Sequence, residues 1–160
     1  MMDRSFSSCN VKKKVSHRCG VVIFNSDLTK IALILNRYSS EVLKRPKWGL
    51  PKGHINKNKK IEEPFLKCAE REAEEETGLI IRLDKRNGKI RVKTTNYYPI
   101  CVDKEYKLDP KDKYEVAEAR WFDVDKVKDM VINYECRQVM RNIFRFKQLA
   151  KLNSVKVLNS

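Results

Sequence analysis

The run Arg71-Glu72-Ala73-Glu74-Glu75-Glu76-Thr77-Gly78-Leu79 limits most strongly what this chain can fold into. The spacing predicts a helix over Pro64 to Thr77. Pro64 suits the first helical position, Glu62 and Glu63 suit the positive end of the helix dipole, and Gly78 suits the left-handed residue that ends a helix. Phe65, Leu66, Ala69 and Ala73 recur at helical spacing and can face a core. Glu72 and Glu76 are four apart and Glu75 is three from Glu72, so all three share one face. Glu70 and Glu74 read as solvated. Carboxylates crowded this way repel one another unless something positive sits between them. In an otherwise basic chain a divalent metal is the natural candidate.

That basic balance is pronounced. The 160 residues, enough for one domain with a sizeable core, carry a net charge of +14. Such a charge points to a polyanionic partner: nucleic acid, a polyphosphate or an acidic surface. Five cysteines with no Cys-x-x-Cys and only two histidines argue against a zinc site. They suggest reduced, buried thiols and a cytoplasmic location. No long apolar run or signal peptide is seen, so no membrane partner is expected.

Along the chain, residues 1–14 read as a flexible basic tail, 15–152 as the domain and 153–160 as a second tail. Arg18 to Asn25 and Lys30 to Asn36 predict a strand hairpin across Asn25-Ser26-Asp27. Ser39 to Lys47 reads as a loop. Trp48 to His54 reads as a short strand running into a glycine turn. Leu79 to Leu83 begins another strand, Asn87-Gly88 suits a hairpin turn, and Ile90 to Val102 holds one or two more strands. Tyr114 to Phe122 alternates, with Glu115, Ala117, Ala119 and Trp121 on one face. Asp125 to Met130 suits a short helix. Tyr134 to Leu152 predicts one amphipathic helix with a stripe of Arg137, Arg141 and Arg145.

The residues from Gly53 to Leu79 resemble the signature of the Nudix hydrolase family. Glu63, seven residues, then Arg71-Glu72-Ala73-Glu74-Glu75-Glu76-Thr77-Gly78-Leu79 follows the family pattern. Gly53 and Glu63 are separated by nine residues where the family has five, an insertion that carries Lys57, Lys59 and Lys60. The resemblance implies an α/β fold, an α/β/α sandwich with a mixed β-sheet and a catalytic loop–helix–loop. It implies hydrolysis of a pyrophosphate link with Mg²⁺ or Mn²⁺, metals that take hard oxygen ligands. The implied metal ligands are Glu72, Glu75, Glu76 and the Gly53 carbonyl. Arg71 lies four residues before Glu75 and can hold the carboxylates in place, and Glu63 would anchor the loop, pairing with Arg71. In the mRNA-decapping branch a Glu six residues before a Trp completes the metal site and acts as general base. That position is Glu115, and the alternation of strand faces favours it over Glu118.

The substrate is read less sharply. Trp48-Gly-Leu-Pro-Lys-Gly-His54 looks like the turn of both decapping and dinucleoside polyphosphate hydrolases. Lys52 there could contact a phosphate and Trp48 could stack a base. The arginine stripe, with Lys147 and Lys151, resembles the basic RNA-binding helix of decapping enzymes. A small dinucleotide does not need a protein of this charge, whereas RNA benefits through counterion release. The expected activity is therefore mRNA cap cleavage, giving a capped nucleoside diphosphate and 5′-monophosphate RNA. The alternatives are a dinucleoside polyphosphate or diphosphoinositol polyphosphate phosphohydrolase, or an inactive Nudix domain that holds RNA.

Overall fold

The strand β1 (Arg18–Phe24) is the hub of the fold. In the computed structural model, which describes residues 18–56 and 63–159, it has neighbours on both edges. It meets β2 (Lys30–Asn36) at the turn end, Phe24 opposite Ile31, as the expected antiparallel hairpin. It pairs antiparallel with β4 (Lys52–His54) and runs parallel to β6 (Thr95–Cys101) along its whole length. β5 (Ile90–Val92) closes the β6 edge. β2 pairs antiparallel with the two-residue β3 (Trp48–Gly49) and with β7 (Val116–Asp123). The result is a seven-stranded mixed sheet.

Alternation along β1 divides the core. Cys19, Val21 and Ile23 face α1 (Phe65–Thr77), packing with Cys68, Ala69 and Ala73. Val22 and Phe24 face the other side, where Cys136, Val139, Phe146 and Ala150 come from two later helices. Helices thus cover both faces, and the chain is an α/β/α sandwich. Four buried thiols (Cys19, Cys68, Cys101 and Cys136) sit in these layers, and among the described residues no helix is long and apolar enough to cross a membrane.

Several expectations are corrected. Pro64 is the residue before α1, in extended conformation, so the helix starts at Phe65. Gly78 ends it at φ 82°, as expected. Leu79 to Leu83 forms no strand. Leu79, Ile81 and Leu83 alternate inward, but only Ile81 makes a bridge, to Val157. The Asn87-Gly88 turn therefore joins no hairpin, and the tight turn between β5 and β6 falls at Lys93, at φ 58°. Ser39 to Lys47 is not all loop, since Tyr38–Val42 makes one π-helical turn. The short helix after β7, α2, spans Val124–Val127.

The amphipathic segment is two helices, α3 (Tyr134–Arg141) and α4 (Ile143–Leu152), broken at Asn142. There φ is −118° and ψ 27°, and the Asn142 side-chain amide donates to the Gln138 carbonyl at 2.9 Å. Residues 153–159 do not trail away as a tail. Val157 is buried, the Leu158 amide donates to the Ile80 carbonyl, and Asn159 clamps Ile80 and Gly78. The expected tail 1–14 and Lys57, Lys59 and Lys60 lie outside the described residues.

Candidate active site

β4 and α1 meet where Lys52 and Gly53 pass beneath the acidic helix. The Lys52 amide donates to Glu76 Oε1 at 2.9 Å. A Cβ on Gly53 would overlap the Glu72 carboxylate, so any other residue there would push that carboxylate out of its place beside the strand. The Gly53 carbonyl accepts from the Cys68 thiol at 3.7 Å. A cavity of about 520 Å³ opens beside this junction. Lys52, Gly53, Glu76 and Glu115 line it, with Tyr38 and Tyr114.

The carboxylates there are electrostatically frustrated. Burial pushes Glu76 up to about 8, and the charges of Glu72 and Glu115 add to the shift against the Lys52 amide. Burial likewise pushes Glu72 up to about 7, opposed by Arg71 and reinforced by Glu75 and Glu115.

Arg71 offsets part of this. Its guanidinium donates to both Glu63 oxygens at 2.9 and 3.0 Å, to Glu72 at 2.8 Å, to Glu75 at 3.1 Å and to the His54 carbonyl at 2.9 Å. Burial works against ionisation of Glu63, yet its bonds to Arg71 hold it below the usual carboxylate range. Arg71 thus pins the glycine loop, through Glu63 and His54, to two carboxylates of α1.

The other predicted residues divide. Glu115 precedes β7 and reaches the cavity, whereas Glu118 pairs with Arg120. The alternation used to separate them is interrupted, because the β2–β7 register shifts between Leu35 and Asn36. Glu75 pairs with Arg71 at 3.1 Å and is absent from the described cavity lining. Trp48 packs edge-on against Phe122 at 4.7 Å beneath the Arg120 guanidinium, and it is outside the described cavity lining. The break at Asn142 places Arg137 and Arg141 on α3 and Arg145 on α4.

Three features escape the sequence reading. Glu70, expected in solvent, is buried and accepts from the Leu83 amide at 2.6 Å. Glu135 is buried, accepts from Tyr97 and from Thr95 at 3.1 Å, and lies 3.7 Å from the Lys52 ammonium. Each carried a signal, a charge on the apolar face of its helix: Glu70 between Leu66 and Ala73, Glu135 one turn before Val139. Tyr38 and Tyr114, 60% and 94% exposed, stand on the cavity wall with no periodicity to announce them.

The donor set suits a small divalent cation. Glu72, Glu76, Glu115 and the Gly53 carbonyl are hard oxygens, and their mutual repulsion is the kind a cation relieves. Glycine at position 53 leaves the Glu72 carboxylate room beside the strand carbonyl. As the side chains stand among the described residues, no three acidic, histidine or cysteine side chains are arranged to hold one ion. Arg71 takes Glu72 and Glu75, so a cation would compete with it for them.

A mixed sheet between helices, with one buried acidic helix laid on a glycine-bearing strand, defines the class: an α/β/α sandwich built around a carboxylate cluster. The NUDIX domain model matches residues 16–143, and the chain belongs to the Nudix family. It is a hydrolase of pyrophosphate bonds, and hydrolases of this family generally use divalent metal ions. Solved structures share the fold. The NUDIX domain of Shewanella oneidensis NrtR, complexed with ADP ribose, is 17% identical over 90% of this chain and 98% of that one, with a TM-score of 0.62. A Caenorhabditis elegans Ap4A hydrolase in a binary complex is 16% identical over 84% and 98%, at 0.60. A MutT NUDIX hydrolase from Burkholderia pseudomallei is 17% identical over 82% and 99%, at 0.59.

Proposed function

We propose that this enzyme cleaves the 5′ cap of RNA, releasing a capped nucleoside diphosphate and 5′-monophosphate RNA. One observation carries this reading: the cavity that holds Glu76 and Glu115 also presents Lys52 and two exposed tyrosines, Tyr38 and Tyr114. Carboxylates, a cation and aromatic faces together suit a polyphosphate joined to a base. A methylated cap base carries positive charge, which aromatic faces attract. The net charge of +14 suits a substrate that continues beyond the cap.

Glu72, Glu75, Glu76, Glu115 and the Gly53 carbonyl would hold Mg²⁺ or Mn²⁺, which supplies polarisation of a phosphoryl oxygen and a lowered pKa for bound water. The chain supplies the rest. Glu115, the most open of these carboxylates, accepts the proton of the attacking water. The water oxygen bonds to phosphorus as the bond to the bridging oxygen breaks, and the two phosphate products separate. The Lys52 ammonium steadies the charge on the phosphate oxygens. Arg71 keeps the loop and helix in register and does not touch the substrate.

A product assay with capped RNA, diadenosine tetraphosphate and an inositol pyrophosphate, each with Mg²⁺ and Mn²⁺, tests this reading. We expect capped RNA to give the highest kcat/KM. A higher value for either small substrate would assign the enzyme to that substrate instead.

A further inference from the structure

The active-site cavity is the first of a row. A second cavity shares Arg18, Lys52 and Asn133 with it and adds Lys93 and Tyr134. A third shares Lys93 and Tyr134 with the second and reaches Arg145. A fourth shares Ile90 and Arg145 with the third and follows α4 past Lys147 to Lys151. Each cavity shares walls with the next, so the row leads from Glu76 across β5 and along α4.

Charge is sorted along it. The described linings of the third and fourth cavities contain Lys89, Arg91, Lys93, Arg145, Lys147 and Lys151 and no acidic side chain. A chain with 21 acidic residues beside 35 basic ones would give a mixed lining by chance. In the second cavity the acidic residue is Glu135, which is buried and engaged by Tyr97, Thr95 and Lys52. Aromatic faces accompany the cations. Tyr134 is 49% exposed with the Lys93 ammonium 5.0 Å from its ring, and Phe144, 71% exposed, lines the fourth cavity. Cations for a backbone and rings for stacking are what a single strand of nucleic acid requires.

We propose that this row is the path of single-stranded RNA leaving the active site, with Lys93 and Arg145 on its phosphates and Phe144 under a base. The path rests on the cap-cleavage reading for its substrate. It differs from the arginine stripe expected along one helix. Arg137 and Arg141 are absent from the described linings of all four cavities, whereas Arg145 lines the third and fourth.

The test is equilibrium binding of a short fluorescent 5′-monophosphate single-stranded RNA to the full chain in EDTA, across a salt series. Lys93→Glu with Arg145→Glu should weaken binding more than about tenfold and flatten the log–log salt slope by about 1.4, two single-strand contacts at about 0.7 each. Phe144→Ala should weaken it about fivefold or more with the slope unchanged. Arg137→Glu with Arg141→Glu should stay within about threefold of the parent. Equal losses from the two charge pairs, or no loss from the first, would overturn the path, as would absence of RNA binding by the parent. If the reversed pair does not fold, Lys93→Gln with Arg145→Gln replaces it. Binding needs no catalysis, so the two ideas fail separately. RNA held through Lys93 and Arg145 without cap hydrolysis would refute the reaction. Cap hydrolysis with RNA binding indifferent to Lys93 and Arg145 would refute the path.

Discussion

Arg71 and Glu63 are joined twice, Nε to Oε2 at 3.0 Å and Nη2 to Oε1 at 2.9 Å, across the segment that links β4 to α1. A planar fork on a carboxylate fixes both distance and orientation. The remaining guanidinium donors reach Glu72, Glu75 and the His54 carbonyl. Lysine has the charge without the fork. Arg71→Lys should therefore retain the fold, lose about 1–3 kcal/mol of stability and lower kcat at least about tenfold. Thermal melting and steady-state kinetics check this; unchanged kcat would show that the register of loop and helix does not matter.

Lys52 ties two buried acids together, its amide on Glu76 and its ammonium 3.7 Å from Glu135. Glu135→Gln keeps an acceptor for Tyr97 and Thr95 but removes the charge near Lys52. We expect KM to rise about threefold to fivefold with a smaller change in kcat. Lys52→Gln should raise KM too, and the double variant should be no worse than Lys52→Gln alone. Additive effects would separate the two residues. Glu135→Leu strips Tyr97 and Thr95 of their acceptor and should cost about 2–4 kcal/mol in denaturant unfolding.

The pH dependence has a definite sign. Glu72 and Glu76 bind protons in the folded state up to about 7 and about 8, against an ordinary 4.5. Between those values the folded state holds more protons than the unfolded chain, so stability falls as pH rises from about 5 to 8. At about 1.4 kcal/mol per pH unit, the contribution lost from Glu76 across this range is on the order of 3–4 kcal/mol. Glu76→Gln should flatten the profile in EDTA. Divalent cation affinity should climb over the same range, since binding requires the carboxylates ionised. Melting temperature against pH, with and without Mg²⁺, reads both effects; a rising EDTA profile would contradict them.

Tyr38 and Tyr114 line the cavity and are largely exposed. If they hold a cationic base, Tyr38→Ala with Tyr114→Ala should raise KM for methylated-cap RNA about fivefold or more. The unmethylated cap lacks the positive charge and should lose less. Equal losses on the two caps would remove the cation from the account.

The extent to which all this was legible follows from the range of each interaction. α1 and its glycine stop rest on local spacing and on φ at Gly78, and both are readable. So are the β1–β2 hairpin and the pairing of Arg71 with Glu63 and Glu75. The break at Asn142 was hidden because Val139, Ile143, Phe146 and Ala150 keep nearly helical phase across it. Leu79 to Leu83 reads as a strand because its side chains alternate, yet the Leu83 amide is satisfied by Glu70, thirteen residues earlier. Residues 153–159 form a short segment of mixed character with no periodicity, and its packing depends on Ile81 and Cys101, which sequence proximity cannot reveal. Local sequence leaves Trp48 open between base stacking and the core, because its contacts with Phe122 and Arg120 come from a strand far along the chain.

The most direct measurement is product analysis on cap-labelled RNA with the parent protein and with Glu76→Gln, both saturated with Mg²⁺ or Mn²⁺. We expect the parent to release capped nucleoside diphosphate and 5′-monophosphate RNA, and Glu76→Gln to lose at least about a hundredfold in kcat while binding RNA within about threefold of the parent. Undiminished cap cleavage by Glu76→Gln would contradict the placement of the reaction beside Lys52 and Gly53.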